Sequence, residues 1–581
     1  MKKILLIVFA LATALIVAQS FSYLAINKKV AAEPKKYFMN YPSQVAFCGS
    51  LYLESDSDAV IPALTGWGNY SWKVTTSSDS AQFYFNQGIN MYYSYHLIEA
   101  EASFDKATKF DPGCAMAWFG KALAMGPTIN SKDGFETSVT VLRSLEKSKQ
   151  LAQYGTKLEQ DLINAMQTRY QLDSKDPEKV QLNYHEYTAA IKAVYNKHTN
   201  ETDVVSLYAD ALMLERDSDG YDLKKMPNDT TSMIQSLLEK GIALNPSHPG
   251  VNHYYIHVME GSKHPEMALH SAGLLDTLMP NVAHMTHMPS HIYSSTGHYS
   301  KGVKSNETAI KGFHSYLKSF APVAAGQGVY EGHNLFVLIY CAQMAGNYKI
   351  SSDKSEALLK TLPDFLLKMD GAFGMYMQYA AASPYFTNVR FGKWDEILKD
   401  KKTDTLAFIS LMQHFSRGMA LSHTNQSLKA EQELKLLTIN TKHPTLLKKA
   451  NNGINPVAKT SRVAQWILTG TIAQQKKQNL LAIKAFRKAV SIEDSINYME
   501  PRNWMIPARQ YLGNALIKAG QYKQAAVVFE EDLDNNKDNG WALTGLSVAY
   551  QKAGNPAYKK IDARVKAAWD IKDIKINSSV F

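Results

Sequence analysis

The feature that most constrains the fold is a pattern of small and aromatic residues that returns about every 34 residues. Its first copy consists of Gly88, Ala100, Phe104, Ala107 and Pro112. The pattern recurs at Trp466, Gly470, Ala482, Phe486 and Ala489, at Gly513, Ala525 and Phe529, and at Ala268, Ala272 and Pro280. Small residues let two antiparallel helices approach closely, an aromatic ring fills the remaining space, and Pro ends the second helix. The sequence therefore predicts a stack of antiparallel helix pairs.

This period is typical of the tetratricopeptide repeat (TPR), so the predicted fold is all-α: an irregular TPR-like α-solenoid, a right-handed superhelix of antiparallel helix pairs. Polar insertions such as "DSDGYDLKKMPNDTT" interrupt the period and make the array irregular. We expect the solenoid to span residues 77–581. Residues 33–76, with their Gly- and Ser-containing stretches, are expected to form an irregular N-terminal arm or cap.

The N-terminus has the pattern of an export signal. Two lysines precede a nearly unbroken apolar run from Ile4 to about Ala18, which is typical of a secretory signal peptide. The apolar stretch continues to about Ile26, long enough for an uncleaved anchor. Residues 1–32 are therefore predicted to be a signal peptide or an N-terminal anchor. Either one predicts an extracytoplasmic location, periplasmic or secreted, with membrane contact only if the segment is not cleaved.

Charge and cysteine content argue against several classes of protein. The net charge of +10 is spread along the chain without a long basic block, so nucleic acid is not an expected partner. Cys48, Cys114 and Cys341 are widely spaced and form no CxxC pair, so we expect buried apolar side chains and no disulfide framework. The sequence contains no phosphate-binding glycine loop, no GxSxG, no HExxH and no EF-hand pattern.

Six histidines fall at recurring positions of the repeat. If Pro280 ends one unit, that unit starts at Pro249, and His253 and His257 are its fifth and ninth residues. The next unit starts near Ala283. Its second, fifth and ninth residues are His284, His287 and His291. After an insertion, a unit that starts at Gly332 has His333 as its second residue.

First helices of successive repeats line the concave surface of a solenoid, and residues three or four apart share a helix face. The register therefore predicts one inner patch. Its HxxxH and HxxHxxxH spacings offer nitrogen ligands that copper, zinc, iron or nickel accept. The predicted metal ligands are His253, His257, His284, His287, His291 and His333. The alternative is that they are hydrogen-bonding groups of a ligand groove, or satisfied histidines between helices.

Two details of this segment have more than one interpretation. Pro289 either kinks a helix between His287 and His291, or it marks the true helix start and leaves His284 in the preceding turn. Met285 and Met288 offer thioether ligands that suit copper(I), although methionines at helical spacing more often pack in a core. Other histidines map to turns or to second helices and are not expected in the patch: His96, His264, His270 and His298.

The chain as a whole resembles a known family. The motifs "HPGVNHYYIHVMEGSKHPEMAL", "AHMTHMPSHIY", "VRFGKWDEIL" and "YMEPRNWMIPARQYLGNALIKAGQY" stand in the order found in a widespread bacterial family of secreted or periplasmic TPR proteins. The resemblance covers about Thr65 to Phe581. It implies an all-helical solenoid whose shared inner-surface motifs include the six histidines. After His333 and Asn334 that family often has another histidine, where this chain has Phe336, and the resemblance implies no particular reaction.

Two functions are compatible with these observations. The first is a binding or scaffold protein that holds a protein or peptide in its concave groove, with a histidine-lined site for a transition metal such as copper, zinc or iron. The second is a metal-dependent enzyme, redox or hydrolytic, in which an open His-ligated centre acts on a small-molecule substrate.

Overall fold

The computed structural model describes residues 61–581 except 131, 133, 134, 136, 171–176, 217–219, 320–326, 402, 448–456 and 498. Regular secondary structure in these residues is helical, apart from an isolated bridge between Tyr221 and Pro227. The α-helices are α1 Asp79–Tyr93, α2 Leu97–Phe110, α3 Ala115–Ala124, α4 Val139–Leu151, α5 Lys157–Met166, α6 Pro177–Lys197, α7 Thr202–Glu215, α8 Asp229–Leu244, α9 Pro249–Met259, α10 Leu269–Leu278, α11 Ala283–His287, α12 Pro289–Ser295, α13 Tyr299–Ser319, α14 Gln327–Met344, α15 Tyr348–Thr361, α16 Asp364–Leu367, α17 Ala372–Ala381, α18 Ser383–Arg390, α19 Trp394–Lys399, α20 Ala407–His423, α21 Ser427–Asn440, α22 Pro444–Leu447, α23 Val457–Gln475, α24 Asn479–Glu493, α25 Ala508–Lys518, α26 Tyr522–Asn535, α27 Gly540–Lys552 and α28 Tyr558–Ala568. Short 3₁₀ helices span Ala152–Tyr154 and Pro265–Ala268. The all-α prediction is confirmed.

Consecutive helices pack side by side as pairs, including α1 with α2, α9 with α10, α14 with α15, α20 with α21 and α23 with α24. Short connections make such neighbours antiparallel. Successive pairs also contact each other, as α26 does α27. This is the TPR-like arrangement that the period predicts.

The joint between pairs is an aromatic ring held between two glycines. A Cβ atom on Gly88 would lie 2.8 Å from the ring of Phe104, and one on Gly120 of the following pair would lie 2.4 Å from it. Near the other end, Cβ atoms on Gly513 and Gly545 would lie 2.4 Å and 2.3 Å from the ring of Phe529. Only hydrogen fits in these places, because real Cβ atoms do not approach carbon so closely. The pattern of small and aromatic residues in the sequence is thus the packing pattern of the structure.

Each turn inside several of these pairs contains one residue in the left-handed region. It is glycine at Gly297, Gly346, Gly520 and Gly554, with φ between 68° and 84°. In the α1–α2 turn the equivalent residue is Tyr95, with φ 57°. A side chain in this conformation costs about 1–2 kcal/mol relative to glycine. Asn425 and Lys477 have the same conformation in the α20–α21 and α23–α24 turns, each with φ 59°.

The first and last described helix pairs also contact the middle of the chain. Helix α1 packs against α9, and Trp67, ahead of α1, lies 4.5 Å from the ring of Tyr316 in α13. At the other end, Trp541 Nε1 donates a hydrogen bond to the Gln343 carbonyl at 2.9 Å, and Asn347 Nδ2 donates one to the Ile571 carbonyl at 2.7 Å. The array therefore departs from a simple solenoid, in which each unit contacts only its neighbours.

Residues 61–78 lead into α1 without helix or strand, and Trp67 and Trp72 in this stretch are buried. The boundaries of the predicted arm remain a prediction, and the signal or anchor segment 1–32 and Cys48 lie outside the described residues. Cys114 and Cys341 are buried free thiols, as expected. Among the described helices, none combines the length and the hydropathy that a bilayer crossing requires.

Candidate metal centre

The six predicted histidines lie on four helices of the middle segment, α9, α11, α12 and α14, and form two groups of three. The first triad is His253 and His257 of α9 with His284 of α11. The second triad is His287 of α11, His291 of α12 and His333 of α14. Within each triad, one ring nitrogen from every histidine lies within 4.8 Å of the others.

The two triads have the same construction, one repeat apart. Each combines the fifth and ninth residues of one unit with the second residue of the next unit. These side chains come together as the register predicts, in two adjoining triads, with the ring centroids of His284 and His287 6.3 Å apart. Phe336 is the fifth residue of the unit that starts at Gly332, so this chain has no histidine there with which to begin a third triad.

All six predicted histidines are buried, and their place on a concave surface stays a prediction. The most exposed of them, His257, has 8% of its surface accessible, and His253 and His287 have none. The physical reason is the packing of distant segments: α1 lies against α9 and carries Tyr93 and Tyr95 to the first triad, while α13 brings Asn306 to the second.

The start of α9 fixes the first two ligands. His248 is the N-cap, and its Nδ1 accepts hydrogen bonds from the backbone N–H groups of Gly250 and Val251. Pro249 follows at the first helical position, where its fixed φ is favourable. A Cβ on Gly250 would lie 2.6 Å from the Tyr93 ring, so glycine lets α9 approach α1. That approach brings the Tyr93 carbonyl to His253.

Pro289 does begin a helix, since α11 ends at His287 and α12 starts at Pro289. His284 lies in α11, however, so the interpretation that leaves it in a turn is wrong. Met288 connects the two helices with helical dihedral angles (φ −51°, ψ −37°). Met285 and Met288 are fully buried members of the hydrophobic core, which favours the core-packing interpretation.

In the first triad, hydrogen bonding determines which nitrogen of His253 is free. His253 Nδ1 lies 2.6 Å from the Tyr93 carbonyl oxygen, which only accepts, so Nδ1–H is the donor and Nε2 keeps its lone pair. His253 Nε2 lies 2.9 Å from His284 Nε2. His257 Nε2 is buried and has no hydrogen-bond partner. A buried nitrogen without a partner costs free energy unless something else binds it.

In the second triad the lone pairs are more tightly constrained. His287 Nδ1–H donates to Asn306 Oδ1 at 2.7 Å, and the orientation of that amide is set because Asn306 Nδ2 donates to the Gly302 carbonyl at 2.8 Å. The lone pair of His287 Nε2 therefore faces His291 Nε2 at 2.8 Å and His333 Nε2 at 3.2 Å. One lone pair cannot accept two good hydrogen bonds in its plane.

Glu260, the C-cap residue of α9, connects the two triads. One carboxylate oxygen lies 3.6 Å from His257 Nδ1 and the other contacts His291 Nδ1. Carboxylates that accept from the outer ring nitrogen of a histidine orient the other nitrogen toward a metal. Sequence analysis missed this residue. Its spacing of three from His257 placed it on the same helix face and was the available signal.

Electrostatics keeps five of the rings neutral at neutral pH. Burial lowers the pKa of His253, His284 and His287 well below the ordinary imidazole value. Burial likewise lowers the pKa of His257, and that of His333 to about 3. Although burial alone would raise the pKa of Glu260, His291 and His257 hold it well below its usual range. Neutral imidazole is the form that binds metal.

Tyr95 covers the first triad. Its ring centroid lies 4.6 Å from that of His253, 5.6 Å from that of His257 and 5.8 Å from that of His284. The strained turn conformation of Tyr95 thus places an aromatic ring over three imidazoles. Sequence analysis did not single out Tyr95, because the histidines that it contacts come more than 150 residues later in the chain.

The histidines excluded from the patch lie outside both triads. His264, His270 and His298 are exposed. His96 is buried, with Nδ1 3.5 Å from a carboxylate oxygen of Glu99 and its ring edge-on to Trp67.

Fold and site together define an all-helical, TPR-like repeat protein with two buried histidine triads. No protein-family model matches the sequence, and no curated protein matches it. Among solved structures, human IFIT1 in a dimer with m7Gppp-AAAA is 14% identical, with a TM-score of 0.27 over 85% of this chain and 90% of that one. Yeast Tom70 is 12% identical, with a TM-score of 0.27 over 85% and 92% of the two chains. The APC/C hetero-tetramer Cut9-Hcn1 is 13% identical, with a TM-score of 0.25 over 86% and 76%. Likeness of this degree supports no argument about ligand or partner.

Proposed function

We propose that this protein is a metalloprotein in which each histidine triad binds one transition-metal ion. The observation that carries the proposal is the second triad, where the Nε2 atoms of His291 and His333 both approach the lone pair of His287 Nε2. Protons cannot satisfy this arrangement well, whereas a cation at its centre accepts all three lone pairs.

The distances support a shared ion. Two nitrogens that each lie about 2.1 Å from one metal ion are about 3.0–3.4 Å apart at bond angles of about 90–110°. The Nε2–Nε2 distances of 2.8 Å and 3.2 Å in the second triad and 2.9 Å in the first are close to this range. Movement of the imidazole rings by about a few tenths of an ångström would bring these nitrogen–nitrogen distances into that range.

The surroundings of the rings also favour metal binding. The Nδ1 atoms of His253 and His287 donate to a carbonyl and to an amide oxygen, and Glu260 lies at Nδ1 of His257 and His291. These partners direct Nε2 inward in both triads. Copper, zinc and iron all accept imidazole nitrogen, and three protein ligands leave a further position open. An open position is what a metal-dependent enzyme requires, so redox or hydrolytic activity is the second candidate function.

The solenoid around this centre is proposed to act as a binding or scaffold protein for a protein or peptide, because stacked helix pairs offer an extended surface. An extracytoplasmic location is part of the proposal and is supported by the signal-like N-terminal sequence.

Elemental analysis tests the metal proposal. The full-length protein, loaded with copper(I), zinc(II) or iron(II) and then desalted, is expected to retain about two ions of one of these metals per chain. His257→Ala and His291→Ala should each remove about one ion, and the double variant should remove both. His264→Ala, which changes an exposed histidine outside the triads, is the matched control.

Circular dichroism establishes that each variant is folded. Retention of no metal by the folded wild-type protein would overturn the proposal. Metal retained equally by the double variant and by His264→Ala would overturn it as well.

A further inference from the structure

A small apolar cavity adjoins the second triad. It has a volume of ≈ 10 Å³ and is lined by Gly332, His333, Phe336, Leu358, Leu362, Tyr376, Met377 and Ala380. These residues are all buried, and they come from α14, α15 and its C-cap, and α17. The cavity has room for about one molecule of the size of water or of a diatomic gas.

The lining selects against water and ions. His333 contributes its imidazole ring, and the hydroxyl of Tyr376 donates a hydrogen bond to the Glu500 carbonyl at 3.3 Å. The other side chains are hydrocarbon or thioether. A buried water needs two to four polar partners, and an ion loses far more hydration energy than such a wall returns. The cavity therefore suits a small uncharged molecule with little polarity.

We infer that this cavity is the binding place of an uncharged, dioxygen-sized ligand of the metal ion at the second triad. The inference rests on the proposed function, because the ligand would occupy the position that three histidines leave open. His333 belongs both to the triad and to the cavity wall, with Nε2 directed at His287. A molecule in the cavity is thus beside a ligand of the ion.

Charge favours a metal in a low oxidation state at this centre. Among the contacts described for the six rings, Glu260 supplies the carboxylate. Two copper(I) ions would bring two fewer positive charges into this buried site than two divalent ions, and the charge of Arg216 already acts on His257. Because burial of uncompensated charge is costly, copper(I) is the better occupant. Copper(I) also binds neutral diatomic gases, which zinc(II) does not.

Carbon monoxide is the probe for this inference. Full-length His253→Ala protein, in which the second triad alone is complete, is loaded with copper(I) without oxygen and titrated with carbon monoxide. The carbon lone pair forms a bond to copper, no group leaves and no electron is transferred. The expected result is one copper(I) carbonyl band in the infrared spectrum per copper ion bound.

A substitution that fills the cavity should weaken this binding. In Gly332→Ala the new Cβ would lie 3.6 Å from Leu358 Cδ1 and 3.7 Å from Leu362 Cδ2, both in the cavity wall, and 3.2 Å from Thr361 Oγ1. We expect carbon monoxide affinity to fall at least about tenfold, equivalent to about 1.4 kcal/mol. Gly273→Ala is the matched control, because a Cβ there meets nothing within 4 Å. Leu362→Ala, which enlarges the cavity, should bind carbon monoxide at least as tightly as the parent.

The copper content of the same samples separates the two proposals. Absence of bound copper would refute this inference, and absence of bound zinc and iron as well would refute the proposed function. Bound copper without a carbonyl band would refute the inference alone. Equal carbon monoxide affinity in Gly332→Ala and Gly273→Ala would do the same.

Discussion

Glu260 is the residue through which the two-triad proposal can be tested most sharply. Its two carboxylate oxygens serve different triads, one near His257 Nδ1 at 3.6 Å and the other in contact with His291 Nδ1. Glu260→Gln preserves size and shape but leaves one acceptor oxygen and one N–H₂ donor. The Nδ1–H group of one imidazole must then face the amide N–H₂ group, and both imidazoles lose the negative charge of the carboxylate.

The expected magnitude follows from the position of Glu260 behind the ligands. Loss of a carboxylate that orients a metal-bound histidine costs about 10–100-fold in metal affinity, which is about 1.4–2.8 kcal/mol. Because the carboxylate contacts a histidine of each triad, both ions should be held more weakly. Substitution of a residue that only packed against one helix would not weaken the binding of both ions.

The assay is competition for metal between the protein and a chromophoric chelator. Glu260→Gln is measured beside Glu266→Gln, in which the replaced carboxylate also contacts a histidine, His264 Nδ1 at 3.0 Å, but lies outside the triads. We expect two weakened sites in Glu260→Gln and none in Glu266→Gln. If Glu260→Gln weakened neither site by more than about twofold, the role assigned to Glu260 would be incorrect. If it weakened one site only, Glu260 would not connect the triads.

Two further predictions concern stability. Gly346→Ala should lower the free energy of unfolding by at least about 1 kcal/mol, because φ is +75° and the new Cβ would lie 2.7 Å from the ring of Trp569. Thermal denaturation measures the change, with Gly273→Ala as the control. Equal melting temperatures of the two variants would contradict the packing described at Gly346. Burial raises the pKa of Glu493 from 4.5 to about 8, so the stability that its protonated carboxyl contributes is complete below pH 4.5 and is lost as the pH rises through about 8. Glu493→Gln keeps an acceptor for the Ala508 amide at 2.8 Å and should melt higher than the wild type at about pH 9 but not at about pH 4. An unchanged difference across that range would contradict it.

The helix pairs were predictable because the sequence encodes their contacts locally. Gly88 and Phe104 are 16 residues apart, and their close packing follows from the two-helix unit itself. The approach of the six histidines followed from the same register. How they divide did not, because the partner of His253 and His257 depends on which histidine of the next unit reaches them, and His284 and His287 lie on the same short helix.

Burial of the site was not predictable from periodicity. Tyr93 and Asn306 reach the triads by packing of α1 on α9 and of α13 on α11. The first of these contacts joins residues 160 positions apart, and a repeat pattern specifies neighbours but not distant partners. Tyr95 illustrates the same limit. Its backbone conformation is that of the equivalent turn residues in other pairs, and its contact with His253 exists only because α9 lies beside the turn.

The contacts from both described end regions to the middle of the chain have a consequence for how the molecule comes apart. In an open array, unfolding proceeds inward from the last units, since each is held on one side only. Here the α27 segment is tied to α14 through Trp541, and α1 is tied to α9 and α7, Tyr93 donating to Asp203 at 2.7 Å. Loss of a terminal helix pair would uncover the histidine-bearing helices directly. We therefore expect the helix pairs to unfold together and not one after another, with the candidate metal centre buried among them.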